Sequence, residues 1–182
     1  VDVSVAVLRH MDTDNYQRLK SAGINVITIG SGPKLYSLSK MRKLRPIMKQ
    51  YDVVHTHLTP PFLMGAFNSL FCPKSKFVCT IHNTDTKFRH IPVLRSIEKW
   101  AYSRYNALIA CSKEAEDALR KFWNNGKTTI LTVNNGVKLD KFKNAEPSEE
   151  ISQIPGKKIT MVAVFRSQKD HECLIKAAKL LP

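Results

Sequence analysis

Two cations, Arg166 and Lys169, stand three residues apart in the stretch FRSQKDH. An apolar run (159–164) precedes them and a helical pattern (170–181) follows, so they occupy a strand-to-helix turn. Such a turn aims the first backbone N–H groups of the helix at the same spot as the two side chains, and together these attract a phosphate-type anion. Ser167 and Asp170 add the S-x-x-D spacing of a helix cap. The plainer reading of the pair is two solvated surface cations. Three histidines form a second group. His82 closes the apolar run 77–82, where an imidazole at a strand's carboxyl end points into a crevice and can accept or donate near neutral pH. Its plainer role is that of a structural hydrogen-bonder. His55 and His57 are two apart and share one face of a strand. They could begin a metal site, but no third ligand stands at fitting spacing, so no metal is expected. Asn83, Thr84 and Asp85 continue the edge beside His82. Asn135-Gly136, after the run 129–133, is turn chemistry in which Gly136 can take φ > 0. No alternating run follows to close a hairpin. The turn is therefore expected to shape the floor of a cleft.

Positioning these groups falls to an alternation of strands and helices. Apolar, β-rich runs occur at 3–8, 25–29, 52–57, 77–82, 107–111, 129–133 and 159–164. Helical patterns lie between most of them, at roughly 13–23, 36–50, 61–71, 91–104, 113–123 and 170–181. Ser112 before KEAEDALRKFW is a fitting N-cap, and Ala115, Ala118, Leu119 and Phe122 repeat at helical period. Runs that are apolar throughout, such as Val162-Ala163-Val164, suit a parallel sheet covered on both faces. The pattern predicts an α/β fold, a doubly wound parallel sheet with helices on both faces. The composition shifts once, at the polar, acidic stretch 143–158, which has the character of a linker. Residues 1–150 read as one nearly whole domain. Residues 151–182 read as linker plus the strand, loop and helix that open a second.

The chain has 182 residues, of which 43% are hydrophobic and 24% charged, the balance of a folded globular protein. No run approaches the ~18 apolar residues of a membrane span, and none reads as a signal peptide. The four cysteines are scattered without a CxxC pair, which argues against a zinc ribbon or a disulfide framework and points to a reducing, cytoplasmic setting. The net charge of +14 is unusual. Nucleic acid, an anionic membrane surface and a phosphorylated ligand all fit such a field. Residues 38–50 place Leu38, Met41, Leu44 and Met48 at helical spacing with five Lys and Arg between them. Such a helix can lie on an anionic membrane, or simply turn its apolar stripe inward. Pro46 is expected to bend or interrupt it.

Five segments, YDVVHTHL (51–58), VCTIHNTD (78–85), ALIACSKEAEDAL (107–119), VNNGVKLDKF (133–142) and VAVFRSQKDHECLIKAAKLL (162–181), resemble in content and order the GT-B-fold retaining glycosyltransferases of family 4. The resemblance runs over residues 3–182. It implies two facing Rossmann-like domains, this chain holding the N-terminal, acceptor-side one and the start of the nucleotide-sugar-binding one. It implies that Arg166 and Lys169 hold the donor diphosphate and that His82 is catalytic, touching donor sugar and phosphate. It places His57, Asn83, Asp85, Asn135 and Gly136 around the acceptor cleft. The implied activity is transfer of a sugar, hexosyl in type, from a nucleotide sugar (UDP- or GDP-linked) to a saccharide or lipid-linked acceptor, with no separate cofactor. The implied setting is polysaccharide or lipopolysaccharide synthesis, in the cytoplasm or peripherally on the inner face of the cell membrane. Phe165 stands where the family often has Gly, which questions the local backbone. The family's first strand and its paired-glutamate motif have no counterpart here, so the chain is expected to be truncated at both ends, inactive alone and prone to self-association. The runs 3–8 and 52–57 would then each face an unpaired edge, unless they pair with each other or borrow a strand from a second copy. The competing reading is a basic nucleic-acid-binding α/β module. No helix-turn-helix, zinc-finger or exposed-aromatic RNA signature supports it, so no nucleic-acid partner is expected.

Overall fold

The computed structural model describes residues 2–181, and the chain divides into two compact units, 1–136 and 137–182. The first unit alternates strand and helix: β1 (Ser4–Val7), α1 (Asp14–Ser21), β2 (Asn25–Thr28), α2 (Leu38–Met48), β3 (Val53–His57), α3 (Thr59–Ser69), β4 (Lys76–Ile81), α4 (Pro92–Ser103), β5 (Ala107–Ala110), α5 (Lys113–Phe122) and β6 (Thr129–Thr132). All ladders are parallel. The fold is the α/β architecture that the sequence pattern predicts, parallel strands flanked by helices. Strands apolar on both faces require that cover.

The strands form two sheets, β1-β2 and β3-β4-β5-β6. β1 and β3 do not pair with each other, and each keeps one open edge. A cavity of about 490 Å³ lies against both, lined among others by Val5, Ala6, Val54, Thr56, Leu44 and Met48. The main core is built on the four-stranded sheet. Phe77, Cys79 and Leu108 from its strands meet Ala66, Ala101, Tyr102 and Leu119 from the helices, each 2% exposed or less. Burial of each large side chain here contributes about 1.5–3 kcal/mol. Gly65 is required by close approach, since a Cβ there would lie 2.5 Å from the Tyr105 hydroxyl. That hydroxyl, buried beneath α3, donates to the Phe62 carbonyl at 2.7 Å and contacts Thr56 Oγ1 at 3.0 Å.

Local signals explain the helix starts. Ser112 caps α5 as its position suggests, its Oγ accepting from Ala115 N at 3.2 Å, and Ser37 and Thr13 serve α2 and α1 in the same way. Pro46 does not interrupt α2 as expected. It sits in the last turn, where one ladder bond is lost at an exposed position, and its carbonyl accepts from Gln50 Nε2 at 3.0 Å. The apolar stripe of α2 turns inward at Leu44 and Met48, while Leu38 remains 69% exposed.

The second unit holds the short helices α6 (Asp140–Lys143) and α7 (Glu149–Ser152), a 3-10 turn (Ser167–Lys169) and α8 (His171–Ala178). The expected strand at 159–164 does not form. A strand exists through its ladder, and no extended segment among the described residues pairs with it. Its side chains stand in solvent, Val162 at 95% exposure. No helix among the described residues is long and apolar enough to cross a membrane.

Candidate functional site

The carboxyl ends of β3 and β4 bring the three histidines together. In the β3–β4 register His57 lies opposite Thr80, so His82, two residues further on, comes up on the same side. His57 Nδ1 lies 3.2 Å from His82 Nε2, a hydrogen bond that requires one ring to hold the proton and the other the lone pair. The rings of His55 and His57 are 4.3 Å apart, and His55 Nε2 lies 2.8 Å from Thr80 Oγ1. Partial burial is the main reason the His55 and His57 pKa values fall below the ordinary value. Repulsion from the neighbouring imidazoles lowers them further. Sequence spacing paired His55 with His57 but missed the contact with His82, and it gave His55 no site role. The signal was there in the HTH stretch on one run and the terminal His on the next. Only the strand register converts it into contact. Among the described residues no three His, Cys, Asp or Glu side chains converge as a metal-binding group.

Beside His82 and Asn83 lies a small cavity of about 60 Å³, lined by Leu58, Phe62, Cys79 and Tyr102 as well. Burial pushes the Cys79 thiol up to about 12, so it stays a neutral wall. Leu58, between His57 and α3, has φ 67° and ψ 167°, a conformation natural only to glycine. This strained link turns the chain from strand to helix, Pro60 and Pro61 following at once.

Asp85 is exposed and occupied by a neighbour. It accepts from His90 Nε2 at 2.6 Å, which is the main reason its carboxyl lies below the usual range. His90, which the sequence reading left without a role, is thus tied to the cleft edge. Behind it, Arg89 pairs with the buried Glu98 at 3.5 Å and donates to the Thr84 carbonyl, fixing the loop. Asn135 and Gly136 follow β6, two strands from β4 and so about 10 Å across the sheet. They share its carboxyl end without bonding to the histidines. Gly136 does not take the positive φ expected of it, the positive-φ glycines being Gly23, Gly126 and Gly156. With no hairpin to close, the chain there has no need of it.

Arg166 and Lys169 belong to the second unit and bracket its 3-10 turn, Lys169 N donating to the Arg166 carbonyl at 2.9 Å. Both are exposed. The S-x-x-D reading is corrected in one respect. Asp170 is itself the N-cap of α8, at φ 45°, and its carboxylate accepts from Cys173 N at 3.1 Å. Phe165 does not adopt a glycine-only conformation, so its difference from the family's usual Gly needs no backbone change. Its ring stacks on His171 at 4.5 Å.

No curated protein matches the chain. The model of Glycosyltransferase Family 4 matches residues 1–141, which takes in His55, His57, His82 and the whole four-stranded sheet. The parallel α/β fold is consistent with that match, and the chain belongs to glycosyltransferase family 4.

Proposed function

We propose that this chain contributes the acceptor-side domain of a retaining glycosyltransferase, which moves a hexosyl group from a UDP- or GDP-linked sugar to a saccharide or lipid-linked acceptor. The observation that carries the reading is the His57–His82 contact at the carboxyl ends of adjacent parallel strands, where open α/β sheets bind ligands. His57 engages Nε2 of His82, and Nδ1 is the nitrogen left to meet donor sugar or phosphate. His57, Asn83 and Asp85 form the acceptor edge, with Asn135 and Gly136 further along the same sheet end. As the bond from the sugar's C1 to the diphosphate breaks, negative charge gathers on the leaving group. Arg166, Lys169 and the N-terminal N–H groups of α8 are the donors suited to it. The donor nucleotide is a substrate, and no separate cofactor enters.

The test is kinetic, on the polypeptide as the cell makes it, with UDP- and GDP-sugars. Arg166→Ala and Lys169→Ala should each lower kcat/KM at least ~10²-fold, the scale of losing one charge-stabilising donor. Near-normal kinetics in both variants would remove the diphosphate assignment.

A further inference from the structure

The link from β3 to α3 holds strain beside the candidate site. Leu58 takes φ 67° and ψ 167° although it carries a side chain, and 63% of its surface is exposed. A residue other than glycine keeps such a conformation only where its surroundings over-determine it, and such residues gather at ligand sites. The surroundings here are stiff. Pro60 and Pro61 follow, and the Leu58 carbonyl accepts from Phe62 N at 3.0 Å as α3 begins. An exposed side chain returns little packing for that strain, so its use lies outside the core.

Leu58 lines the cavity of about 60 Å³ beside His82. Phe62, Cys79, Ile81 and Tyr102 form its walls, each 9% exposed or less, whereas His82 and Asn83 are exposed. The cavity therefore opens on the acceptor edge. Its Phe62 wall is fixed, since that ring stacks on Tyr105 at 5.4 Å and meets Tyr102 at 5.0 Å. Glu98 also lines the cavity, and its carboxylate is fully engaged by the protein. Tyr102 donates to one oxygen at 2.7 Å and Thr86 to the other at 2.9 Å, with Arg89 beside it at 3.5 Å.

These contacts select what the cavity accepts. An anionic substituent would face Glu98, and the neighbouring cation, Arg89, is already paired with that carboxylate. A cationic one would have to displace Arg89 from a buried ion pair, which is strongly unfavourable. A lone hydroxyl would set a polar group against apolar walls without filling them. The volume is several times the ~10–15 Å³ that one water needs, so the occupant has more than one heavy atom. We propose that the cavity receives a neutral acetamido group carried by the acceptor sugar. Its methyl lies among Phe62, Ile81 and Tyr102, its amide stays at the mouth near Asn83 and Thr59, and Leu58 packs over it. The assignment rests on the acceptor-side reading of this domain and adds to it the substituent that the sugar bears. Leu58 is then a specificity-determining residue, which accounts for its strained backbone.

Saturation-transfer NMR on the 182-residue chain tests this with the methyl glycosides of glucose, 6-deoxyglucose, glucosamine and N-acetylglucosamine. The N-acetyl glycoside should bind at least ~10-fold tighter than the glucoside, the scale of filling a small apolar subsite. Its acetamido methyl protons should receive the largest transfer. Leu58→Gly should bring the ratio of the two affinities back toward unity, and Thr59→Trp, which fills the mouth, should abolish the preference. Asp85→Ala, at the acceptor edge but not lining the cavity, should weaken all four glycosides alike. Far-UV circular dichroism confirms that each variant is folded. Equal binding of the N-acetyl glycoside and the glucoside would overturn the proposal. So would a preference for the glucosamine or 6-deoxy compound, or an N-acetyl preference that survives both Leu58→Gly and Thr59→Trp. In each of these cases the acceptor edge itself stands if Asp85→Ala still weakens the whole set. Binding of none of the four would overturn both.

Discussion

His57 and His82 share a hydrogen bond that a second proton would break, because a doubly protonated pair has no lone pair to offer. The His55 and His57 pKa values are lowered from 6.5, chiefly by burial. The unfolded chain therefore binds more protons than the folded one just below that value, and the stability these residues lend is present above it and lost as pH falls toward the folded values. Thermal unfolding should show a midpoint that drops between about pH 7.5 and 5.5, and His55→Asn/His57→Asn should flatten that drop. An equal slope in the double variant would show that other groups carry it. Asp85, also lowered, acts in a separate and more acidic window, so the two contributions can be told apart.

Elements here depend on single residues at their ends. Ser112 satisfies the first turn of α5, and Ser112→Ala should cost about 1 kcal/mol and a few degrees of melting temperature. An unchanged midpoint would mean that solvent replaces the cap without loss. Leu58 makes the opposite prediction. Its φ of 67° is strained for any side chain, and 63% of its surface is exposed, so little packing is lost on truncation. Leu58→Gly should raise stability by up to ~1 kcal/mol, the relief of strain exceeding the extra freedom of the unfolded chain. Should the variant prove less stable, packing of Leu58 against the cavity by Phe62 would outweigh its strain.

At the scale of the molecule the two sheets leave β1 and β3 with open backbone edges. Unpaired N–H and C=O groups along such edges recruit other strands. The 182-residue chain is expected to self-associate, with light scattering giving a mass that rises with concentration. Val53→Lys should reduce that association, since Val53 is exposed at the start of β3 and a charge there opposes edge pairing. A clean monomer at all concentrations would refute the expectation.

Period and punctuation in the sequence determined most of the first unit. Six apolar β-rich runs became six strands and the helical patterns between them became five helices, because alternation of buried strand and amphipathic helix has few other solutions. The departures come from context that a local run does not carry. The run 159–164 has a strand's composition yet no partner among the described residues, Gly136 has a turn's composition yet no positive φ, and Pro46 sits where only one ladder bond was at stake. The site was legible to the same extent. His82, Asn83 and Asp85 could be placed at a strand's end, and Arg166 and Lys169 just before a helix, though not after the strand expected there. That His57 bonds to His82 and that α4 carries an exposed apolar stripe were decided by tertiary structure alone. Register between strands and the packing of one helix on the next join residues 25 or more positions apart, and no local pattern encodes which of them will meet.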